Sequence, residues 1–213
     1  AELSNGKVHF ELSGDENAQT VVLLHGYSVP MYIWDMNFKP LVEAGFRVLR
    51  LDFYGRGFSD RRDLRYDKNL YITQISELLE ALNITKPVDL VGMSMGGSIA
   101  VAFTDQYPEK VRKVVFIDTE FSSGSPPYPP DYITTGVKLM QETRESMAEG
   151  QLNDFYNPER FPGWPDKYRV QMQYEGFFRA LISTSMYFYL TNFVEIYERV
   201  GQQGRDVLIV WGK

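Results

Sequence analysis

Short apolar runs alternate with helical patterns between Val21 and Asp118, and this alternation restricts the fold more than any other feature of the chain. The apolar runs are rich in β-branched residues and apolar at nearly every position, which is typical of strands buried on both faces. The predicted strands are 21–25, 47–52, 88–92 and 112–118, and the predicted helices are about 36–44, 70–83 and 95–107. This succession predicts an α/β fold with a mostly parallel, doubly wound sheet covered by helices.

Segments on either side of this alternation add two strands to the prediction. The sequence "KVHFELSG", residues 7–14, predicts an additional strand, which a turn at Asn5-Gly6 would pair with the first few residues. The sequence "DVLIVWGK", residues 206–213, returns to the pattern of a buried parallel strand.

A different composition separates these two parts of the chain. The sequence "SSGSPPYPPDY", residues 122–132, is rich in proline, serine and glycine and cannot continue a helix or a central strand. Residues from about 131 to 200 combine interrupted helical patterns with many aromatic side chains, which a small helical subdomain has to bury and some of which could line a substrate site. We therefore predict the N-terminal part of a core at 1–120, a helical cap or lid at 121–190 and a return to the core at 191–213.

The composition excludes several classes of function. A net charge of −6 creates no basic field that would attract nucleic acid or anionic lipid. No apolar run approaches the roughly 20 residues that span a bilayer. With no cysteine, the chain forms no disulfide and has no thiolate nucleophile or cysteine-bound metal. The first residues carry no targeting pattern, so we expect a soluble protein, cytoplasmic rather than secreted, and no motif predicts a metal or a cofactor.

Ser94 lies in the sequence "GMSMG", residues 92–96, between a predicted strand and a predicted helix. This is the setting in which a G-x-S-x-G sequence forms a nucleophile elbow. The sharp turn would expose the serine hydroxyl at the end of the sheet, and Gly92 and Gly96 would leave room where strand and helix approach each other. The alternative is a glycine-rich turn with a capping serine, but the flanking strand and helix favour the nucleophile.

Two further loops follow the first two parallel strands. His25-Gly26 lies at the end of the first one, where ligands bind in open α/β sheets. Gly26 would let the backbone turn over the sheet, so that the N–H of Tyr27 joins the N–H of Met95 in an oxyanion hole. The sequence "DFYGRGFSD", residues 52–60, follows the next strand, and its two glycines predict a tight loop with a structural role.

The sequences "VVLLHGYSVPMYIWD", "RVLRLDFYGRGFSD" and "DLVGMSMGGSIAVAFTDQYPEKVRKVVFID" together resemble the α/β-hydrolase superfamily, in its branch of small esterases, lipases and carbon–carbon bond hydrolases. The resemblance covers most of 5–120 and resumes at 190–213, with the aromatic region where the family inserts a cap. It implies Ser94 as the nucleophile, the amides of Tyr27 and Met95 as oxyanion donors, and a bracing role for His25. It argues against the family's dehalogenases and epoxide hydrolases, which have aspartate at the position of the serine.

The base that Ser94 needs is not evident from the sequence. The family's triad runs in the order serine, acid, histidine, but the two histidines, His9 and His25, both precede the serine. In some relatives the acid of the triad lies at the position of Asp118. Asp118 could instead fix the loop that leads into the cap. We expect the acid and the histidine to lie beyond Lys213, with a terminal strand and helix, so that a complementing C-terminal segment or a swapped homo-oligomer completes the protein.

These observations predict a serine hydrolase that acts on carboxylic esters through an acyl-enzyme on Ser94, with a small apolar ester or acyl compound as its substrate, and that is inactive or incomplete without the acid and the histidine. Hydrolysis of a carbon–carbon bond and perhydrolysis on the same serine are alternatives that the sequence does not separate. A different class of function is a non-catalytic protein on a hydrolase scaffold that binds a small molecule or assembles with a partner. The glycines of the elbow and the oxyanion loop favour the enzyme, since a binding protein has little use for them.

Overall fold

A six-stranded sheet in the order β3-β5-β4-β6-β7-β8 forms the centre of the molecule, in a computed structural model that describes residues 1–124, 127–129 and 131–212. Its strands are β3 (Phe10–Ser13), β4 (Thr20–Leu24), β5 (Arg47–Leu51), β6 (Val88–Met93), β7 (Val111–Ile117) and β8 (Val207–Val210). Strand β3 runs antiparallel to β5, and all other neighbouring strands are parallel. The predicted α/β class and the mostly parallel sheet are confirmed. Part of the predicted linker, at Ser125, Pro126 and Pro130, and the terminal Lys213 lie outside the described residues.

The predicted N-terminal strand is divided into two short strands. Strands β1 (Glu2–Leu3) and β2 (Gly6–Lys7) form a small antiparallel hairpin around the predicted turn, while β3 belongs to the main sheet. His9 lies between β2 and β3 rather than inside a strand, because its N–H bonds to Ser59 Oγ at 3.0 Å and its carbonyl accepts from Asp52 N at 2.9 Å. Hydrogen bonds between His9 and the loop at 52–60 therefore separate β2 from β3.

The helices follow the predicted alternation and then form a group of their own. They are α1 (Asp35–Glu43), α2 (Lys68–Ala81), α3 (Met95–Gln106), α4 (Tyr132–Glu142), α5 (Arg144–Gly150), α6 (Trp164–Met172), α7 (Phe177–Tyr187) and α8 (Phe193–Gly201). Short 3₁₀ helices occupy Met31–Trp34, Pro108–Lys110, Gln151–Asp154 and Pro158–Arg160. No helix in the described part of the chain is long and apolar enough to cross a membrane.

Strand β4 shows how the sheet is covered on both faces. Val21 and Leu23 pack with Trp34 and with side chains of α1 on one face. Val22 and Leu24 point to the other face, into the main core formed with α2 and α3. All five residues of β4 are buried, so the strand is apolar at nearly every position because it has no solvent-facing side.

Helices α4 to α7 surround a second apolar cluster beside the carboxyl end of β4. Tyr168, Phe177 and Leu181 are fully buried in it, and Tyr27 and Val29 from the loop after β4 pack against it. Phe188, at the end of the same region, is buried in the main core instead. The division into a core and a cap at 121–190 therefore stays a prediction.

Strand β8 is an exposed edge of the described sheet. It pairs with β7 only, and the exposed fractions of its four side chains lie between 43% at Val207 and 59% at Ile209. Trp211, just after the strand, is 57% exposed and stacks on Phe121. An apolar strand edge of this kind is a surface on which another segment can pair.

Candidate active site

Ser94 lies at the turn between β6 and α3 with a backbone conformation that few residues other than glycine adopt, at φ 51° and ψ −123°. Its N–H donates to the carbonyl of Ile117 on the neighbouring strand at 3.0 Å, which anchors the turn. A side chain on Gly92 would place its Cβ 2.4 Å from the carbonyl oxygen of Gly96, and one on Gly96 would lie 2.3 Å from the oxygen of Leu24. Both glycines are required because strand, turn and helix approach one another more closely than a methyl group allows.

The loop after β4 lies directly against this serine. A Cβ built on Gly26 would be 3.4 Å from Ser94 Cβ and 3.8 Å from Ser94 Oγ. Among the described residues, neither the N–H of Tyr27 nor that of Met95, the first residue of α3, has a hydrogen-bond acceptor. Two unpaired backbone donors near a serine hydroxyl are the elements of an oxyanion hole.

Arg56 fixes the backbone of that loop, a role that the sequence analysis did not identify. The Arg56 side chain is fully buried, and its Nε donates to the carbonyl of Tyr27 at 2.8 Å. Its other nitrogens donate to the hydroxyls of Tyr71 at 2.7 Å and Thr184 at 2.9 Å, the latter on α7. One guanidinium thus joins the loop after β4 to α7 and fixes the peptide between Tyr27 and Ser28. The preceding peptide, which carries the N–H of Tyr27, is held through the carbonyl of Gly26 by His25. An arginine between two glycines, in "GRG", was the sequence signal available for it.

His25 is fully buried, and both of its ring nitrogens are occupied by structural hydrogen bonds. Its Nε2 accepts from the N–H of Phe53 at 2.9 Å, so the proton is on Nδ1, which donates to the carbonyl of Gly26 at 2.8 Å. Burial lowers the pKa of His25 to about 4, so the ring is neutral near pH 7. A ring held in this way braces the loop and has no free lone pair with which to accept a proton from Ser94.

His9, the other histidine, pairs with Asp52 instead of the serine. Its Nδ1 is 2.7 Å from Asp52 Oδ2, and this hydrogen bond raises the pKa of His9 above its ordinary value. Asp52 also accepts from the N–H of Met31 at 2.8 Å and of Phe58 at 3.0 Å. The carboxylate thus holds the end of the loop after β4 and the loop at 52–60 together, which is a structural arrangement.

Asp118 lies next to the elbow in the sheet but contacts a different segment. It follows β7, adopts φ 43°, and its Oδ1 accepts from the N–H of Gly212 at 2.6 Å. Its N–H donates to the carbonyl of Val210 at 3.0 Å, so Asp118 binds the chain that leaves β8. With His25 and His9 engaged elsewhere, the described residues place Ser94 beside two N–H groups without acceptors but provide no imidazole for it. Nor do three or more His, Asp or Glu side chains converge there into a metal site.

A pocket of about 380 Å³ opens over Ser94. Its floor is formed by the elbow and the loop after β4, and its roof by the region between α5 and α6. The lining residues are Gly26, Tyr27, Ser28, Val29, Ile33, Met93, Ser94, Gln151, Asp154, Phe155 and Trp164. The described lining includes no lysine or arginine, and its one carboxylate, Asp154, has a pKa raised by burial. Gln151 and Asp154 were missed by the sequence analysis, since polar residues in a region of irregular helices carry no periodic signal.

Comparisons with known proteins agree with this architecture. A family described as having the alpha/beta hydrolase fold matches residues 19–213. The 2-hydroxy-6-oxononadienedioate/2-hydroxy-6-oxononatrienedioate hydrolase of Klebsiella pneumoniae subsp. pneumoniae is 33% identical over 228 aligned positions, which cover 97% of this chain and 74% of that protein. A hydrolase of the same description from Pseudomonas putida is 29% identical over 224 positions, with the same two coverages of 97% and 74%.

The solved structures extend the likeness to three dimensions. The enol-lactonase from Burkholderia xenovorans LB400 superposes with a TM-score of 0.78 at 19% sequence identity, covering 99% of this chain and 90% of that one. At that identity the superposition shows the fold alone. The family match extends over nearly the whole chain, and the similarity to the Klebsiella hydrolase covers most of both proteins. The chain therefore belongs to the α/β hydrolase family.

Proposed function

We propose that this protein hydrolyses carboxylic esters through an acyl-enzyme on Ser94, and that the acyl group of the ester is small and carries no charge. The observation that supports it most is the position of the strained serine beside two backbone N–H groups without acceptors, under a largely apolar pocket. In the first step Ser94 Oγ bonds to the ester carbonyl carbon, and its proton passes to a base. The carbonyl oxygen becomes an oxyanion that the N–H groups of Tyr27 and Met95 stabilise. The carbon–oxygen bond then breaks and the alcohol leaves with that proton.

The second step returns the enzyme to its starting state. Water attacks the acyl carbon, its proton passes to the same base, and the carboxylic acid leaves as Ser94 recovers its hydrogen. Because both rings of His9 and His25 are engaged away from the serine, the base is proposed to be an imidazole, with its acid, on a segment outside these 213 residues. The exposed edge of β8 is where such a segment, from the same protein or from a second copy, would extend the sheet.

The lining of the pocket supports an uncharged acyl group. Val29, Ile33 and Phe155 provide apolar surface, while no described lining residue carries a positive charge. Placing a carboxylate against this surface would leave it without a partner, which is unfavourable by several kcal/mol for a buried charge. Asp154, in the lining of the pocket, adds repulsion whenever it is ionised.

Hydrolysis of a carbon–carbon bond is the second candidate, because two of the relatives are named for it. Such a reaction would use Ser94 and the same oxyanion donors on a ketone instead of an ester. The relatives' names describe dioates, which carry two carboxylates, and the described lining offers no cation for either. The ester is therefore the first substrate class to test.

Labelling with a neutral alkyl p-nitrophenyl phosphonate tests the nucleophile and the base separately. We expect mass spectrometry to find one phosphonyl group on Ser94, none in Ser94→Ala, and an unchanged result in Ser146→Ala, which removes an exposed hydroxyl outside the pocket. Added imidazole should accelerate the labelling of the wild-type chain, since it supplies the missing base. Labelling that is spread over other residues would contradict the assignment of Ser94 as the nucleophile. Rapid labelling that imidazole does not accelerate would contradict the proposal that the base lies outside these residues.

A further inference from the structure

A second, wider groove lies away from Ser94. It has a volume of about 910 Å³ and runs between the loop at 58–62, helix α4 and the segment 172–179. None of its lining residues is shared with the pocket over the serine. The groove has no role in the proposed hydrolysis, so its chemistry can be considered independently of it.

The charge of this groove is opposite to that of the whole chain. Although the net charge is −6, four arginines line the groove against two carboxylates, Asp60 and Glu175. Arg62 lies 3.4 Å from Asp60 and Arg179 bonds to Asp63, whereas Arg144 has a looser contact with Glu145 at 3.8 Å and Arg61 has no acidic partner among the described residues. Arg61 and Arg144 are therefore the ones that decide what the groove can bind.

Arg61 is a desolvated cation without an acidic partner among the described residues. Its guanidinium lies 4.5 Å from the centroid of the Tyr174 ring and donates to the carbonyl of Gly57, while its buried Nε has no hydrogen-bond partner in the described chain. Asp52 and Asp60 act on it only at longer range, and burial lowers its pKa. Nη1 forms no hydrogen bond with the described residues and, unlike Nε, is not buried, so it is the donor open to an anion in the groove. An anion bound there would offset the cost of the partly buried charge.

Apolar surface lies beside this cation. The Phe58 side chain is 63% exposed, and its ring packs edge-on against Tyr174 with the centroids 6.1 Å apart. The exposed ring offers an edge or face on which the aromatic part of a ligand can pack. Arg144, on the α5 side of the groove, has only Glu145 at 3.8 Å, and that carboxylate is held by Arg169 at 2.9 Å. Arg144 therefore also has donors to spare.

We propose that this groove binds a small aromatic carboxylate, with the carboxylate on Arg61 and the ring against Phe58 and Tyr174. A guanidinium donates to both oxygens of a carboxylate in one plane, which suits a flat ligand. The aromatic part of the ligand covers the exposed ring of Phe58, and Arg144 closes the anionic side. A ligand with only a charge would contact the arginines alone, and a ligand with only an aromatic ring would contact Phe58 and Tyr174 alone.

Isothermal titration of the 213-residue chain with three probes tests this assignment. Benzoate carries both a negative charge and an aromatic ring, benzamide carries the ring without the charge, and inorganic phosphate carries negative charge without a ring. We expect saturable binding of one benzoate, with benzamide and phosphate each at least tenfold weaker. Arg61→Gln should weaken benzoate by about tenfold or more, the range of a lost charge-assisted hydrogen bond. Arg160→Gln, which removes an exposed arginine outside the groove, should leave it unchanged.

Two further measurements keep the test decisive. If circular dichroism shows that Arg61→Gln does not fold, Phe58→Ala replaces it, because an exposed ring can be removed without disturbing the core. Phe58→Ala should weaken the binding of benzoate and leave the binding of phosphate unchanged. No benzoate binding, equal affinity for phosphate or benzamide, or benzoate binding that survives both Arg61→Gln and Phe58→Ala would each overturn the proposal. None of these outcomes depends on Ser94, so they are distinct from a failure of the proposed hydrolysis.

Discussion

Acid should destabilise this protein through the single buried ring of His25. The pKa of His25 is lowered from 6.5 to about 4 by burial, because Nε2 must stay unprotonated to accept from Phe53 and a charge would be desolvated. The unfolded chain takes up a proton below pH 6.5, whereas the folded chain does not until about pH 4. The contribution of this group to stability is therefore fully present above pH 6.5 and is lost as the pH falls toward 4.

The size of the effect follows from the two pKa values. A difference between 6.5 and about 4 corresponds to about 3 kcal/mol in total, of which about 2 kcal/mol is lost between pH 7 and pH 5. His9 acts in the opposite sense, because its raised pKa makes its contribution largest at low pH and removes it as the pH rises through that value. The contributions of the two histidines can therefore be distinguished by the sign of their effect on the pH dependence of stability, as well as by mutation.

Urea unfolding followed by circular dichroism at pH 7, 6 and 5 measures this dependence. His25→Gln retains one donor and one acceptor but cannot be protonated, so its stability should change less between pH 7 and 5 than that of the wild type, by about 2 kcal/mol. His9→Gln is the matched control and should make the loss on acidification steeper. Equal slopes for the wild type and His25→Gln would refute the argument that this buried ring stays neutral.

Three other substitutions test the remaining contacts. Gly96→Ala places a methyl group 2.3 Å from a backbone oxygen, so it should destabilise by more than the roughly 1–3 kcal/mol of ordinary overpacking and abolish phosphonate labelling. Arg56→Met leaves the carbonyl of Tyr27 and the hydroxyl of Tyr71 without their donor, and urea unfolding should show a loss of about 3 kcal/mol. Leu208→Lys changes a side chain that is 57% exposed and should shift stability by less than about 0.5 kcal/mol in the isolated chain, and a large loss would show that β8 is covered in solution.

Most elements of the sheet could be predicted because their signals are local. Strand β4 is buried on both faces and is therefore apolar at each position, and α3 begins where a glycine-rich turn follows a strand. The observed bounds differ from the predicted ones by a residue or two at most of these elements. The segment 7–14 was less predictable, because its interruption at His9 depends on hydrogen bonds to a loop about 50 residues later in the chain.

The pieces of the candidate site were visible in the sequence to different degrees. The elbow around Ser94 depends on residues adjacent in the chain, so its pattern could be recognised directly. The fixed tautomer of His25 depends on the N–H of Phe53, and the orientation of the Tyr27 carbonyl depends on Arg56 and, through it, on α7. No pattern of neighbouring residues encodes such partners.

The sequence by itself determined the order of strands and helices, the glycines of the elbow and the absence of a histidine after Ser94. Only the tertiary structure decided which groups lack partners within the described part of the chain, namely the two N–H groups beside the serine and the partly buried Arg61 in a separate groove, and that the described lining of the pocket carries no cation. The physical reason is that periodicity and turn chemistry act between near neighbours, whereas burial and hydrogen bonding depend on segments that the fold brings together from distant parts of the chain.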